Sequence, residues 1–354
     1  MVPTAIILAL LITALTNQCN ATPKFPAILV FGDSTVDTGN NNYISTPFKG
    51  NHPPYGYNFP GGAPTGRFSD GRLVPDILAS LFGLKEAVPP FLDPILSDQD
   101  VVTGVSFASA GSGYDSLTTS FTRVISMSRQ LDHLNGYIAR LQSIVGGEEA
   151  AKILSRALVI VSAGTNDFTF NFYDFPTRRL EFTISQYQDF LQAKLQSFIK
   201  ALYDVGCRKM VVSGLPPIGC LPIQMMAKSP LRRSCCQREN EEAVSYNVKL
   251  EKMVHKMEMD LAGCRILYAD VYNPLMDMIN NPLKYEFTET KRGCCGSGLL
   301  EAGPLCTPLE GVCAEPSRYL FWDSIHPTES TYQILAHKLA QSLTTNMSLH
   351  SIKQ

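Results

Sequence analysis

Residues 27–34 read AILVFGDS: five apolar residues, then glycine, aspartate and serine. An apolar run without in–out alternation suits a strand buried on both faces, as in a parallel sheet held between helices. Four more short runs of this kind follow, at Gly104–Phe107, Leu158–Ser162, Lys209–Ser213 and Ile266–Ala269. Between them, apolar stripes repeat at helical spacing. One is Leu131, Leu134, Ile138, Leu141 and Val145; a second runs from Tyr187 to Leu202; a third is Tyr246, Leu250, Met253, Met257 and Leu261. Strands alternating with helices predict an α/β fold with right-handed crossovers. Gly39–Gly71 and Asn273–Ser317 read as long inserts. No internal repeat or linker divides the chain, so residues 22–354 read as one domain.

In open α/β sheets, sites gather at the carboxyl ends of the strands. Three of the runs deliver small and polar residues there: Gly32-Asp33-Ser34, Ala108-Ser109-Ala110-Gly111-Ser112-Gly113 and Ala163-Gly164-Thr165-Asn166-Asp167. A serine hydroxyl attacks at neutral pH only if a base takes its proton. Near the other end of the chain, Asp323 and His326 stand three residues apart. One turn can set the carboxylate against one imidazole nitrogen and leave the other facing Ser34. Oxyanion donors are available from the Ser34 N–H, the N–H of Gly111 or Gly113, and the Asn166 amide. The G-x-S-x-G elbow is absent, which disfavours an ordinary α/β-hydrolase.

Each residue also has a plainer reading. Ser34 can be a turn or cap residue, Asn166 the start of an Asx turn, and Asp323 with His326 a surface capping pair. The other histidines, His52, His133, His255, His337 and His350, lack comparable context and suit surface or packing roles. Asp33 and Asp37 fit hydrogen bonding to their own loop better than metal binding. Arg67 and Arg72 suit structural ion pairs. The aromatic run Phe168–Phe175 can wall an acyl pocket or belong to the core, with equal weight.

Composition narrows the class. The chain has 354 residues, 45% hydrophobic, with 30 Lys+Arg against 32 Asp+Glu. That balance lacks the basic footprint of a nucleic-acid binder. Residues 5–15 read AIILALLITAL, too short for a membrane span and suited to a signal peptide spanning residues 1–21, with cleavage after Ala21. No run inside the chain is long enough to be an integral span. Beyond Cys19, the cysteines crowd the second half: Cys207, Cys220, Cys235, Cys236, Cys264, Cys294, Cys295, Cys306 and Cys313. In an oxidising compartment these predict disulfides, and their spacing does not suit a zinc ribbon. An odd number leaves at least one thiol free; Cys207 and Cys264 precede apolar runs and read as buried, unpaired or mutually paired. Asn346-Met347-Ser348 has the form of a glycosylation acceptor.

These motifs together resemble a plant-type GDSL esterase/lipase of the SGNH hydrolase superfamily, from about Phe25 to about Leu343. The blocks are Phe31–Asn41, Val105–Gly113, Gly164-Thr165-Asn166-Asp167 and Asp323-Ser324-Ile325-His326-Pro327, with further likeness at Pro53-Pro54-Tyr55-Gly56 and Pro64–Arg72. The resemblance implies a flavodoxin-like, three-layer α/β/α sandwich with a five-stranded parallel sheet. It implies Ser34 as nucleophile, His326 as base, Asp323 as its orienter, and Gly111 and Asn166 as oxyanion donors, with Gly113 the alternative to Gly111. Thr35 replaces the leucine that names the family. The expectation is a secreted, extracellular (apoplast or cell-wall) serine ester hydrolase with no cofactor and no metal. Its partner would be a small-molecule or polymer-borne acyl ester. An acyltransferase using the same site and a non-catalytic binding protein are the rival readings.

Overall fold

The computed structural model describes residues 24–348. The expected signal peptide and its cleavage site lie outside them. Strands β1 (Ile28–Gly32), β2 (Leu158–Ser162), β3 (Lys209–Ser213) and β4 (Arg265–Ala269) form one sheet in the order β1-β2-β3-β4. All pairs are parallel, in register from Ile28 opposite Leu158 to Ser213 opposite Ala269. Every residue of β1 is buried, as expected of a strand covered on both faces.

The sheet has four strands, not the five expected. The segment Gly104–Phe107 does lie beside β1, but as a single parallel bridge between Val30 and Ser106. Val30 N–H donates to the Val105 carbonyl at 3.1 Å, and Phe107 N–H to the Val30 carbonyl at 2.7 Å. Two features cut the pairing short. Gly104 has φ +98°, and a Cβ there would stand 2.0 Å from the Ile28 carbonyl oxygen, so the chain enters in a conformation no strand residue holds. At the other end the Gln130 side chain accepts the Gly32 N–H, at 2.9 Å, that would have continued the ladder.

The helical stripes become helices. These are α2 (Met127–Val145), α3 (Ile184–Asp204) and α4 (Gln237–Asp260); α1 (Val74–Leu81) precedes them and α5 (Glu329–Ser348) follows. Ser126 caps α2 by accepting the Arg129 N–H, and Thr183 with Gln186 forms a capping box at α3. Helices α2, α3 and α4 pack side by side from β1 to β4; α1 and α5 pack together and bridge the same two strands. One apolar cluster runs from Phe25 to Leu343 and includes Phe31, Val161, Leu195, Val211 and Leu250. Each such side chain contributes roughly 1.5–3 kcal/mol when fully buried.

The insert 273–317 holds structure that the sequence did not announce. Strand β5 (Glu289–Gly293) pairs in parallel with β6 (Tyr319–Phe321). Disulfides Cys294–Cys313 and Cys295–Cys306 close the loops that follow β5, and Cys220–Cys235 closes another. Cys207, Cys236 and Cys264 are free, and the first and last are buried. A second apolar cluster gathers Tyr55, Phe68, Ala110 and Trp322 around Cys294, Cys295 and Cys306. This small core carries the segment with Asp323 and His326.

Candidate active site

β1 ends in Gly32, and the next two residues turn over the carboxyl end of the sheet. Ser34 is 7% exposed there, held in place but reachable. The Gln130 side chain of α2 clamps the turn, accepting the Gly32 N–H at 2.9 Å and donating to the Gly32 carbonyl at 2.9 Å. His326 approaches from the far end of the chain. Its Nε2 lies 2.8 Å from Ser34 Oγ across 292 residues of sequence, and its Nδ1 lies 2.7 Å from Asp323 Oδ2. Asp323 Oδ1 accepts the N–H groups of Ile325 at 2.8 Å and His326 at 2.7 Å. Asp323 and His326 are both buried, so they are not a surface capping pair. Pro327 bridges Phe321, and α5 begins at Glu329 behind Thr328, whose hydroxyl accepts the Thr331 N–H.

Tyr55 completes this arrangement, and the motif spacing gave no sign of it. Its hydroxyl donates to Asp323 Oδ2 at 2.7 Å and accepts the Gly303 N–H at 2.7 Å. Gly303 belongs to the loop closed by Cys295–Cys306. Tyr55 lies within the Pro53-Pro54-Tyr55-Gly56 stretch, but nothing local links it to an aspartate 268 residues away.

The candidate oxyanion donors sit on two neighbouring loops. Asn166 Nδ2 donates to the Ser112 carbonyl at 2.9 Å, which fixes the amide against the 111–113 loop instead of in an Asx turn. Gly113 presses on Asp167: a Cβ there would stand 2.2 Å from Asp167 Oδ1. Gly111 has φ +86°, and a Cβ there would stand 3.2 Å from the Thr122 side chain, a tight contact. The glycine at 113 is thus explained by packing, whereas the one at 111 serves the turn itself. Among the described residues, the N–H groups of Ser34, Gly111 and Gly113 all lack a hydrogen-bond acceptor.

Asparagines and aspartates from the Ser34 loop tie these pieces together. Asn40 donates to the carbonyls of Ser106 and Ala108, and Asn41 to that of Ala110. Asp37 accepts the N–H groups of Gly39, Asn40 and Ala110. Asp33 accepts the Thr35 N–H and hydroxyl. Both aspartates are buried, and burial outweighs these bonds: Asp33 is pushed above its ordinary value and Asp37 up to about 6. Asp167 is pushed up to about 7 by burial, although it accepts from Tyr114, Asp115 and Thr118. Arg67 pairs with Asp76 and Arg72 with Glu329, as structural ion pairs.

An apolar cavity of about 110 Å³ lies at Ser34, walled by residues such as Val36, Ile160, Val211 and Leu275. The aromatic run is not among its walls. It coils as a π-helical segment, Asp167–Asp174, and sends Phe168 and Phe172 against Tyr187 in the core. Among the described residues no group of three or more His, Cys, Asp or Glu side chains could hold a metal ion. No helix among them is long and apolar enough to cross a membrane.

Ser34, His326 and Asp323 thus stand in hydrogen-bonded series at the end of a parallel sheet. The sequence matches the GDSL-like Lipase/Acylhydrolase family over residues 28–339. It is 53% identical over 322 residues to the GDSL esterase/lipase At1g06990 of Arabidopsis thaliana, covering 90% of this chain and 89% of that relative. It is 52% identical over 345 residues to the GDSL esterase/lipase At2g31550 of the same plant, covering 95% and 96%. A third Arabidopsis relative, GDSL esterase/lipase At2g40250, is 45% identical over 342 residues and 94% of each chain. The chain belongs to the GDSL lipase/acylhydrolase family, a family of carboxylic ester hydrolases.

Proposed function

We propose that the protein is a secreted serine carboxylic ester hydrolase that works through an acyl-enzyme on Ser34. The observation that carries this reading is the series Ser34 Oγ to His326 Nε2 at 2.8 Å and His326 Nδ1 to Asp323 Oδ2 at 2.7 Å. Ser34 Oγ attacks the ester carbonyl carbon while His326 Nε2 takes its proton. The carbonyl oxygen becomes an oxyanion facing the N–H groups of Ser34 and Gly111 and the Asn166 amide. One such donor contributes ~3 kcal/mol to transition-state stabilisation. The C–O bond breaks, and the leaving alcohol takes the proton from His326. Water then attacks the acyl carbon, His326 takes its proton and returns it to Ser34 Oγ, and the acid leaves. Asp323 holds the imidazole in the required tautomer and balances the charge it gains.

Three disulfides and the apolar leader at residues 5–15 support passage through an oxidising compartment, with the apoplast or cell wall as destination. Asn346 is exposed and fits a glycosylation acceptor there. The continuous core from Phe25 to Leu343 supports a single domain, with the two helix groups as outer layers of an α/β/α sandwich.

Hydrolysis of a short-chain chromogenic ester, and labelling of Ser34 by a fluorophosphonate, test the reading. Full activity in Ser34→Ala overturns it.

A further inference from the structure

Tyr332 lies in the first turn of α5 and in the wall of the cavity at Ser34. It is 3% exposed, and its hydroxyl has no hydrogen-bond partner among the described residues. Of the buried side-chain polar atoms left in this state among those residues, only this one belongs to a side chain lining the cavity. Its polar neighbours in the wall are already bonded. Asp33 accepts the Thr35 hydroxyl, the Thr35 and Ser162 hydroxyls lie 3.1 Å apart, and Ser213 donates to the Gly214 carbonyl at 3.0 Å. The turn that carries the tyrosine is firmly held. The Tyr332 N–H donates to the Thr328 carbonyl at 3.0 Å, the Glu329 N–H to Asp70 at 2.7 Å, and the Thr331 hydroxyl to the Leu320 carbonyl at 2.8 Å. Burial, with the carboxyl groups of Asp33, Asp323 and Asp70 nearby, pushes the phenol well above its ordinary value, so it stays a neutral donor. Asp33 precedes Ser34 and Asp323 holds His326, which sets the hydroxyl on the Ser34 side of the wall.

We propose that Tyr332 determines substrate specificity: its hydroxyl binds an oxygen, hydroxyl or carbonyl, carried on a short acyl group whose ester carbonyl stands at Ser34. This rests on the ester-hydrolase reading and assigns its substrate class. Three features argue for it. A buried hydroxyl without a partner is costly, and a phenylalanine would fill the same space without that cost. The tyrosine is therefore explained by a bound group that supplies the missing partner. Ligand sites are mostly apolar, with a few placed polar groups that fix orientation. Here Ile160 and Val211 give the apolar wall and Tyr332 the polar mark. The cavity, at about 110 Å³, suits a short group, and it suits the acyl half because that half stays bonded to Ser34 while the alcohol departs to solvent.

The test is kcat/KM, from the acid released at constant pH, for ethyl esters of butyrate, 2-hydroxybutyrate, 3-hydroxybutyrate and 4-oxopentanoate. Beside them stands 2-methoxyethyl butyrate, whose extra oxygen is on the alcohol. At least one oxygen-bearing acyl ester should exceed ethyl butyrate by roughly tenfold or more. Tyr332→Phe should lower that ratio by a similar factor, and its Tm should equal or exceed the wild-type value, because no protein partner of the hydroxyl is lost. Tyr332→Met takes the place of this variant if the phenylalanine does not fold. A flat wild-type profile, a ratio unmoved by the loss of the hydroxyl, or a preference confined to 2-methoxyethyl butyrate overturns the role of Tyr332 alone. So does a lower Tm with an unchanged ratio, which would make the hydroxyl structural. Failure to cleave any ester, with Ser34 unlabelled by fluorophosphonate, overturns the hydrolase reading and this role with it.

Discussion

Tyr55 and His326 share one oxygen of Asp323, each at 2.7 Å. The Gly303 N–H occupies the oxygen side of the tyrosine hydroxyl, so the hydroxyl hydrogen is directed at the carboxylate. Asp323 has no exposed surface. A buried carboxylate must be fully hydrogen-bonded, and it is: two backbone N–H groups hold Oδ1, while Tyr55 and the imidazole hold Oδ2. The series Gly303–Tyr55–Asp323–His326–Ser34 therefore connects the disulfide-closed insert to Ser34.

Replacing Tyr55 by phenylalanine removes one donor and leaves the ring in place. A hydrogen bond to a charged group contributes about 1.5–3 kcal/mol. Tyr55→Phe should lower kcat by roughly tenfold or more with KM little changed, because the tyrosine acts through Asp323 and does not touch substrate. Steady-state kinetics on a chromogenic ester will show it; an unchanged kcat would make Tyr55 a packing residue only.

Asn166→Ala removes a side-chain amide held against the Ser112 carbonyl. If that amide meets the oxyanion, kcat should fall by about 10²–10³ while KM stays nearly constant. Circular dichroism should match the wild type, since Asn166 is 8% exposed and lies outside the apolar core. A change confined to KM would remove the residue from the transition state.

Opening the loop that presents Gly303 should reach the site. Cys295→Ser with Cys306→Ser releases the segment that donates to Tyr55. Loss of a native disulfide typically costs 2–5 kcal/mol. We expect a lower Tm and, at temperatures where the variant is still folded, a reduced kcat. Retention of full kcat by a folded variant would show that Gly303 keeps its place without the crosslink.

Stability should fall as pH rises from about 4 to about 7. Asp37 and Asp167 have their ordinary value of 3.8 when unfolded and are raised to about 6 and about 7 in the folded protein. Between those limits the folded state binds more protons than the unfolded one, so the slope of unfolding free energy against pH is negative. The stabilisation is complete below 3.8 and lost as pH passes through 6 to 7. Calorimetric Tm values at pH 5 and pH 7.5 should differ, the former being higher. Asp37→Asn should flatten the slope, and a Tm that climbs with pH over this interval would contradict the assignment.

Much of this was legible before any coordinates. The apolar run before Gly32-Asp33-Ser34 read as a buried strand, and β1 is one. The stripes at Leu131–Val145, 187–202 and 246–261 read as helices, and α2, α3 and α4 cover them up to Leu261, which follows the end of α4. Such patterns are local, since a residue's burial repeats with the period of its own element. The strand expected at Gly104–Phe107 failed for a reason outside that pattern. Its apolar character was correct, but the capture of the Gly32 N–H by Gln130 and the close approach of Gly104 to Ile28 limit it to a bridge.

The order of residue types along the chain thus determined the four strands of the main sheet, three of the helices, the family and which side chains could carry acid–base and nucleophilic chemistry. Tertiary packing alone decided the four-stranded sheet, the three disulfide pairings, the clamp of Gln130 on Gly32 and the bond from Tyr55 to Asp323. It also decided that Ser34 and His326 meet at 2.8 Å across 292 residues. Hydrophobic periodicity reports which face of an element is buried. It carries no information on which distant element will cover that face, and the contacts of Ser34 with His326 and of Tyr55 with Asp323 are such distant pairs.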